Sequence, residues 1–126
     1  MNFPENLFYT KDHEWIRFEG DHAVIGITEF AQGELGDIVF VEVDTVGEDV
    51  TGGKVFGSVE AVKTVSDLYM PVNGEIVEFN SILEGAPETV NSDPYGDGWI
   101  IKVKLSDAAD KQGLIGATEY RELTGH

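Results

Sequence analysis

Apolar residues gather in short runs separated by glycine-containing turns along much of this chain, the pattern of short β-strands. Glu14-Trp15-Ile16-Arg17-Phe18-Glu19 and His22-Ala23-Val24-Ile25-Gly26-Ile27 flank Gly20-Asp21, a pair suited to a two-residue primed turn, so the spacing predicts a hairpin. Thr28 is placed to N-cap a short helix from Glu29 to about Leu35, and Gly36 to stop it. Ile38-Val39-Phe40-Val41-Glu42-Val43, apolar but for Glu42, predicts a buried strand. Lys54–Val62 and Val65–Met70 predict the arms of a second hairpin, ended by Pro71, and Asn73-Gly74 turns the chain into a strand at Glu75–Phe79. Glycines and prolines between Asn80 and Gly98 predict loop with a single helical turn near Ile82-Leu83. Trp99–Leu105 predicts the last strand, Ser106-Asp107 a cap for a helix to about Gln112, and Thr118–Leu123 a second helix. Short strands with frequent turns and helices near the end predict a mainly β fold, a sandwich or closed barrel with helical additions.

A chain of 126 residues predicts one domain, 1–126, with its own core. Leu35–Val43 and Tyr95–Val103 share a Gly-Asp-strand pattern, a faint echo between the two halves. Acidic residues outnumber basic ones 24 to 8, for a formal net charge of -16, which argues against nucleic-acid and anionic-membrane partners. The excess has two readings, solubility and steering toward enzymes with basic docking faces. There is no apolar run of membrane-spanning length, no signal or transit pattern at Met1–Asn6, and no cysteine. These features predict a cytoplasmic protein of a prokaryote.

Catalytic motifs fail on inspection. Gly52-Gly53-Lys54 lacks the upstream glycine of a phosphate loop, and Val55 stands where the Ser or Thr would be. Asn91–Asp97 lacks the terminal Glu spacing of a calcium loop. His13, His22 and His126 have no ligand spacing, and no nucleophile elbow is present. The remaining anomaly is Val62-Lys63-Thr64, at the tip of the second hairpin, where Gly, Asn or Asp would be usual. Lysine is scarce here, and Glu60 and Asp67 flank this one, an acidic setting that favours a charged amine over a Schiff-base nucleophile. An enzyme bringing its own activated acyl group could still modify it.

Gly57-Ser58-Val59-Glu60-Ala61-Val62-Lys63 resembles the lipoyl-lysine hairpin of the glycine cleavage H-protein family. The likeness extends through Tyr9–Trp15, Gly26–Val39, Pro71–Ile76, the loop with Asn80, Pro87 and Asn91, Tyr95–Trp99 and Tyr120, and so covers nearly the whole chain. Biotin carriers share the fold but place Met on both sides of the lysine, so Val62 and Thr64 speak for lipoate.

The resemblance implies a hybrid barrel-sandwich of two antiparallel sheets, pseudo-twofold, with Lys63 on an exposed hairpin. It implies a carrier and no enzyme: lipoate joined by an amide to Lys63, taking the aminomethyl group of glycine from a pyridoxal-phosphate glycine decarboxylase to a tetrahydrofolate-dependent aminomethyltransferase. Dihydrolipoamide dehydrogenase would then reoxidise the arm, and lipoate-attaching enzymes would install it. The resemblance also assigns Glu14 and Asp67 to a cleft that shelters the arm, where their carboxylates would pair with its ammonium. Position 12, a smaller polar residue in several relatives, is Asp here and adds negative charge near that cleft. Trp15, Phe18, Trp99 and Tyr120 read as packing residues. Rival readings are a lipoyl relay serving other complexes and an unmodified adaptor sandwich.

Overall fold

The computed structural model describes residues 1–106 and 113–126. Its elements run β1 (Phe8–Tyr9), β2 (Glu14–Glu19), β3 (His22–Ile27), α1 (Glu29–Leu35), β4 (Ile38–Glu42), β5 (Asp49–Val50), β6 (Val55–Ala61), β7 (Val65–Tyr69) and β8 (Gly74–Phe79). They continue through α2 (Ile82–Gly85), α3 (Thr89–Ser92), β9 (Ile101–Leu105) and α4 (Ala117–Thr124). The strands form two antiparallel sheets, one in the order β1-β2-β3-β9-β8-β5 and a smaller one in the order β4-β6-β7. This is the mainly β, two-sheet architecture expected, with short helices that include a C-terminal one.

Local chemistry accounts for the first half of the chain. The β2–β3 hairpin closes with Glu19 opposite His22, and only Gly20 of the two turn residues has a positive φ, +66°, the pattern of a type II′ turn. Thr28 Oγ1 accepts the Ala31 N–H at the start of α1, and Gly36 ends that helix at φ +83°.

The larger sheet is covered on both faces. Ile16, Ala23 and Ile25 point toward the smaller sheet and join Val41, Phe56, Val59 and Leu68 in the main core. Trp15 and Val24, one position out of phase, face a second cluster in which Phe3, Leu7 and Tyr9 meet Ala117 and Tyr120 of α4. Trp15 lies so close over Gly26 that a Cβ there would stand 2.7 Å from its Nε1, so that position admits glycine only.

Three expectations are corrected. The run Ile38–Val43 is not a buried strand: β4 is an edge of the smaller sheet, broken by a bulge between Ile38 and Phe40, and it leaves Val39 and Phe40 about half exposed. Asn80–Gly98 holds two short helices in place of one turn, each seating one apolar residue, Leu83 and Val90, in the core. The last strand begins at Ile101, because Trp99 belongs to a loop held by Asn80, whose Nδ2 donates to the carbonyls of Asp97 and Trp99. The helix expected after Ser106 falls on 107–112, outside the described residues; the following one spans Ala117–Thr124.

Candidate functional site

Lys63 stands at the apex of the β6–β7 hairpin, exposed to solvent. Its side chain is free, but its backbone is not. The Ala61 N–H donates to Thr64 O at 2.7 Å across the turn, and the Val62 N–H donates to Asp37 O at 3.1 Å in the approach to β4. Asn91 on α3 continues the support: Nδ2 donates to Gly36 O and to Gln32 Oε1, and Oδ1 accepts the Ile38 N–H. The lysine stem passes over Gly36, where a Cβ would stand 3.6 Å from Cε and 4.0 Å from Nζ.

Next to Gly36 opens a cleft of about 400 Å³ lined by Asp12, His13, Phe30, Glu34, Leu35 and Ser66. Leu35 precedes Gly36 and Ser66 lies on β7, so the cleft borders the arm of the lysine hairpin. A second cleft, about 360 Å³, holds Thr10, Asp12 and Glu14 against Met70, Pro71 and Val72. Asp12 lines both.

Glu14 is buried, at 2% exposure. Its Oε2 accepts the Tyr69 N–H at 2.9 Å and its Oε1 accepts the Thr10 hydroxyl at 3.2 Å. Burial pushes its carboxyl up to about 8, with Asp12 adding to the rise and the Tyr69 and Thr10 bonds opposing it. At neutral pH it is therefore mostly a neutral acid, poised to ionise if a cation arrives beside it. His13 occupies a left-handed conformation, φ +67°, and its Nδ1 lies 2.8 Å from the Tyr120 hydroxyl. Burial lowers its pKa, against the upward pull of Asp12 and Glu34, so the ring favours its neutral form.

Asp67 lies elsewhere. Strand alternation sends Ser66 and Leu68 inward and Asp67 to the outer face of the smaller sheet, where it borders a depression with Glu42, Asp44 and Ser58. The structure thus places Glu14 and Asp67 in different depressions, and groups Asp12, His13 and Glu34 with Leu35 and Ser66 in a third. Trp15 and Tyr120 are fully buried, in keeping with packing roles. Phe30, Glu34 and Leu35 escaped the sequence reading because the period of α1 marks which residues share a face, not that this face lines a cleft. Among the described residues no cluster could hold a metal ion, and no helix is long and apolar enough to cross a membrane.

Comparison with known proteins settles the lineage. The family model described as glycine cleavage H-protein matches residues 7–126. The chain belongs to the glycine cleavage H-protein family. It is 58% identical over 123 residues to the glycine cleavage system H protein of Bacteroides fragilis, covering 98% of each chain. It is 54% identical over 125 residues to that of Staphylococcus carnosus, covering 99% of each. The crystal structure of the H protein from Mycobacterium marinum superposes with a TM-score of 0.90 at 40% identity, covering 98% of this chain and 100% of that one. As an H protein of the glycine cleavage system, the chain is a carrier and not an enzyme.

Proposed function

We propose that Lys63 is the attachment point for lipoate, and that the protein carries the aminomethyl group of glycine between the enzymes of glycine cleavage. The observation that carries this reading is a lysine held at the apex of a braced β-hairpin in an H-protein chain, its backbone fixed and its side chain in solvent. The residues fit the group: the lysine stem runs over Gly36, whose neighbour Leu35 lines a cleft together with apolar Phe30 and acidic Asp12 and Glu34. When bound, lipoate supplies thiol–disulfide chemistry that the side chains of this protein lack.

The protein's own contribution is positional. The bonds from Val62 and Asn91 hold the backbone of the tip, and the cleft beside Leu35 would shield a group lying in it from part of the solvent. Asp12 and Glu34 attract a cationic group there, and a cation beside Asp12 would stabilise ionised Glu14, whose proton would pass to solvent. The partners in this reading are a pyridoxal-phosphate glycine decarboxylase, a tetrahydrofolate-dependent aminomethyltransferase, dihydrolipoamide dehydrogenase and a lipoate-attaching enzyme.

Expression with lipoate supplied, followed by intact mass, tests the reading. The wild type should gain one lipoyl increment and Lys63→Arg none, and only the modified wild type should support exchange of bicarbonate with glycine in the presence of the decarboxylase. A wild type that stays unmodified, or an increment retained by Lys63→Arg, would refute it.

A further inference from the structure

The outer face of the smaller sheet carries exposed apolar side chains where a free-standing sheet would be polar. Phe40 is 51% exposed, Val62 75% and Val65 62%. Their positions are laterally continuous: Phe40 pairs with Glu60 and Glu60 with Val65, so a row crosses all three strands just below Lys63, with Val62 in the turn above. The next outward-facing row is Glu42, Ser58, Asp67, and Asp44 joins its two carboxylates around a depression of about 170 Å³. Among the described residues none of these three carboxylates forms an ion pair. The face therefore presents apolar side chains around the lysine, interrupted at the middle strand by the exposed carboxylate of Glu60, and beneath them an acidic socket without a cation among the described residues.

We infer that this face docks the enzyme that acylates Lys63, with apolar side chains of that enzyme on Phe40, Val62 and Val65 and a basic side chain in the socket of Glu42, Asp44 and Asp67. The inference rests on the carrier reading. Charge selects the occupant's chemistry, since three unpaired carboxylates on a chain of net charge -16 favour a basic surface. Reach selects the enzyme. In acylation Nζ must come within bonding distance of an activated lipoyl carbonyl, an ester or mixed anhydride supplied by the enzyme. The amide C–N bond forms, the bond from the acyl carbon to its activating group breaks, and that group leaves with the electron pair. Nζ keeps one proton, and the others pass to solvent. An active site that close to Nζ sits within one lysine length of the hairpin backbone and must cover these apolar side chains. Enzymes that meet the far end of the finished arm need not. Asp67, which alternation turns away from Glu14, gains its role here.

The test is the rate of lipoyl attachment to unmodified protein by a purified lipoate-attaching enzyme, followed by intact mass across enzyme and salt concentrations. Phe40→Ser with Val65→Ser, and separately Asp67→Lys with Glu42→Lys, change exposed side chains only, and unchanged thermal unfolding confirms the fold. Each pair should cut kcat/KM for attachment at least tenfold through KM, and the charge reversal should also flatten its salt dependence. Attachment within twofold of wild type in both pairs overturns the inference while leaving the carrier reading intact. If attachment is unchanged but transfer of aminomethyl from the decarboxylase falls, the face belongs to that enzyme and the inference is also overturned. A wild type that accepts no lipoate defeats the carrier reading itself.

Discussion

The carboxyl of Glu14 accepts the backbone N–H of Tyr69 at 2.9 Å, across 55 residues of sequence. It joins β2 of the larger sheet to β7, the outer strand of the smaller one, and satisfies a donor on a strand edge that no further strand covers. The same bond ties the hairpin that bears Lys63 to the His13 turn. A buried acid here thus serves the fold before any cargo arrives.

That burial makes stability depend on pH in a defined direction. The folded-state pKa of Glu14, about 8, lies above the ordinary carboxyl value of 4.5. Below that lower value both states hold the proton and folding costs nothing on this account. As pH rises toward 8 the unfolded chain ionises first, so the stabilisation is progressively lost, at about 1.4 kcal/mol for each tenfold change in proton affinity. Glu14→Gln is neutral throughout and can still accept from Tyr69. Thermal unfolding from pH 5 to 9 should therefore show the Gln variant gaining on wild type as pH rises, and parallel profiles would contradict the burial.

Lys63→Ala should leave the fold almost untouched. The side chain is exposed, and such changes fall within about 0.5 kcal/mol. The lipoyl mass increment should disappear completely. A fall of many degrees in the melting temperature would mean that the lysine stem packs on Gly36 more firmly than its exposure indicates.

What could be read from the chain follows from the range over which each feature is determined. The cap at Thr28, the stop at Gly36 and the turn at Gly20 are set by neighbours within a few residues, and they appear where local chemistry predicts. The exposure of Phe40 depends on the outer face of the smaller sheet being left uncovered, which no pattern within β4 records. Likewise Glu14 reads as an ordinary strand-edge carboxylate until β7 arrives beside it. The lysine tip was legible as an anomaly of turn composition, but its bracing by Asn91 was not, because the amide reaches Gly36 from 55 residues away.

Asn91→Ala tests that bracing. The substitution removes partners from the Ile38 N–H, the Gly36 carbonyl and Gln32 Oε1 together. Unsatisfied buried groups of this kind cost about 1–3 kcal/mol each, and with some rescue by water a total loss of about 2–4 kcal/mol is expected in denaturant unfolding. Hydrogen exchange at Val62, whose N–H bonds Asp37, should accelerate more than exchange at Ile25 in the larger sheet. Uniform acceleration would mean that Asn91 supports the whole fold and not the lysine tip in particular.

Tyr120 and Tyr9 offer a matched pair for the last prediction. Their rings stack at 4.7 Å, 9° from parallel, and both are fully buried. Their hydroxyls differ in what they join. Among the described residues the Tyr9 hydroxyl donates to Pro4 O alone, at 2.6 Å, whereas the Tyr120 hydroxyl lies 2.8 Å from both His13 Nδ1 and Thr28 Oγ1. Having one proton, it donates to one of these and accepts from the other, so it links α4 to the turn at His13 and to the cap of α1. Removing it leaves a half-buried imidazole and a buried threonine hydroxyl each short of a partner, although Thr28 keeps its bond from the Ala31 N–H. Removing the Tyr9 hydroxyl frees one carbonyl near the N-terminus. Tyr120→Phe should therefore cost about 1–3 kcal/mol, and Tyr9→Phe clearly less. Proton resonances of His13 followed through a pH titration should shift in the Tyr120 variant alone. Equal losses with an unchanged His13 titration would show that the helix is held by ring packing and that the hydroxyl couples nothing.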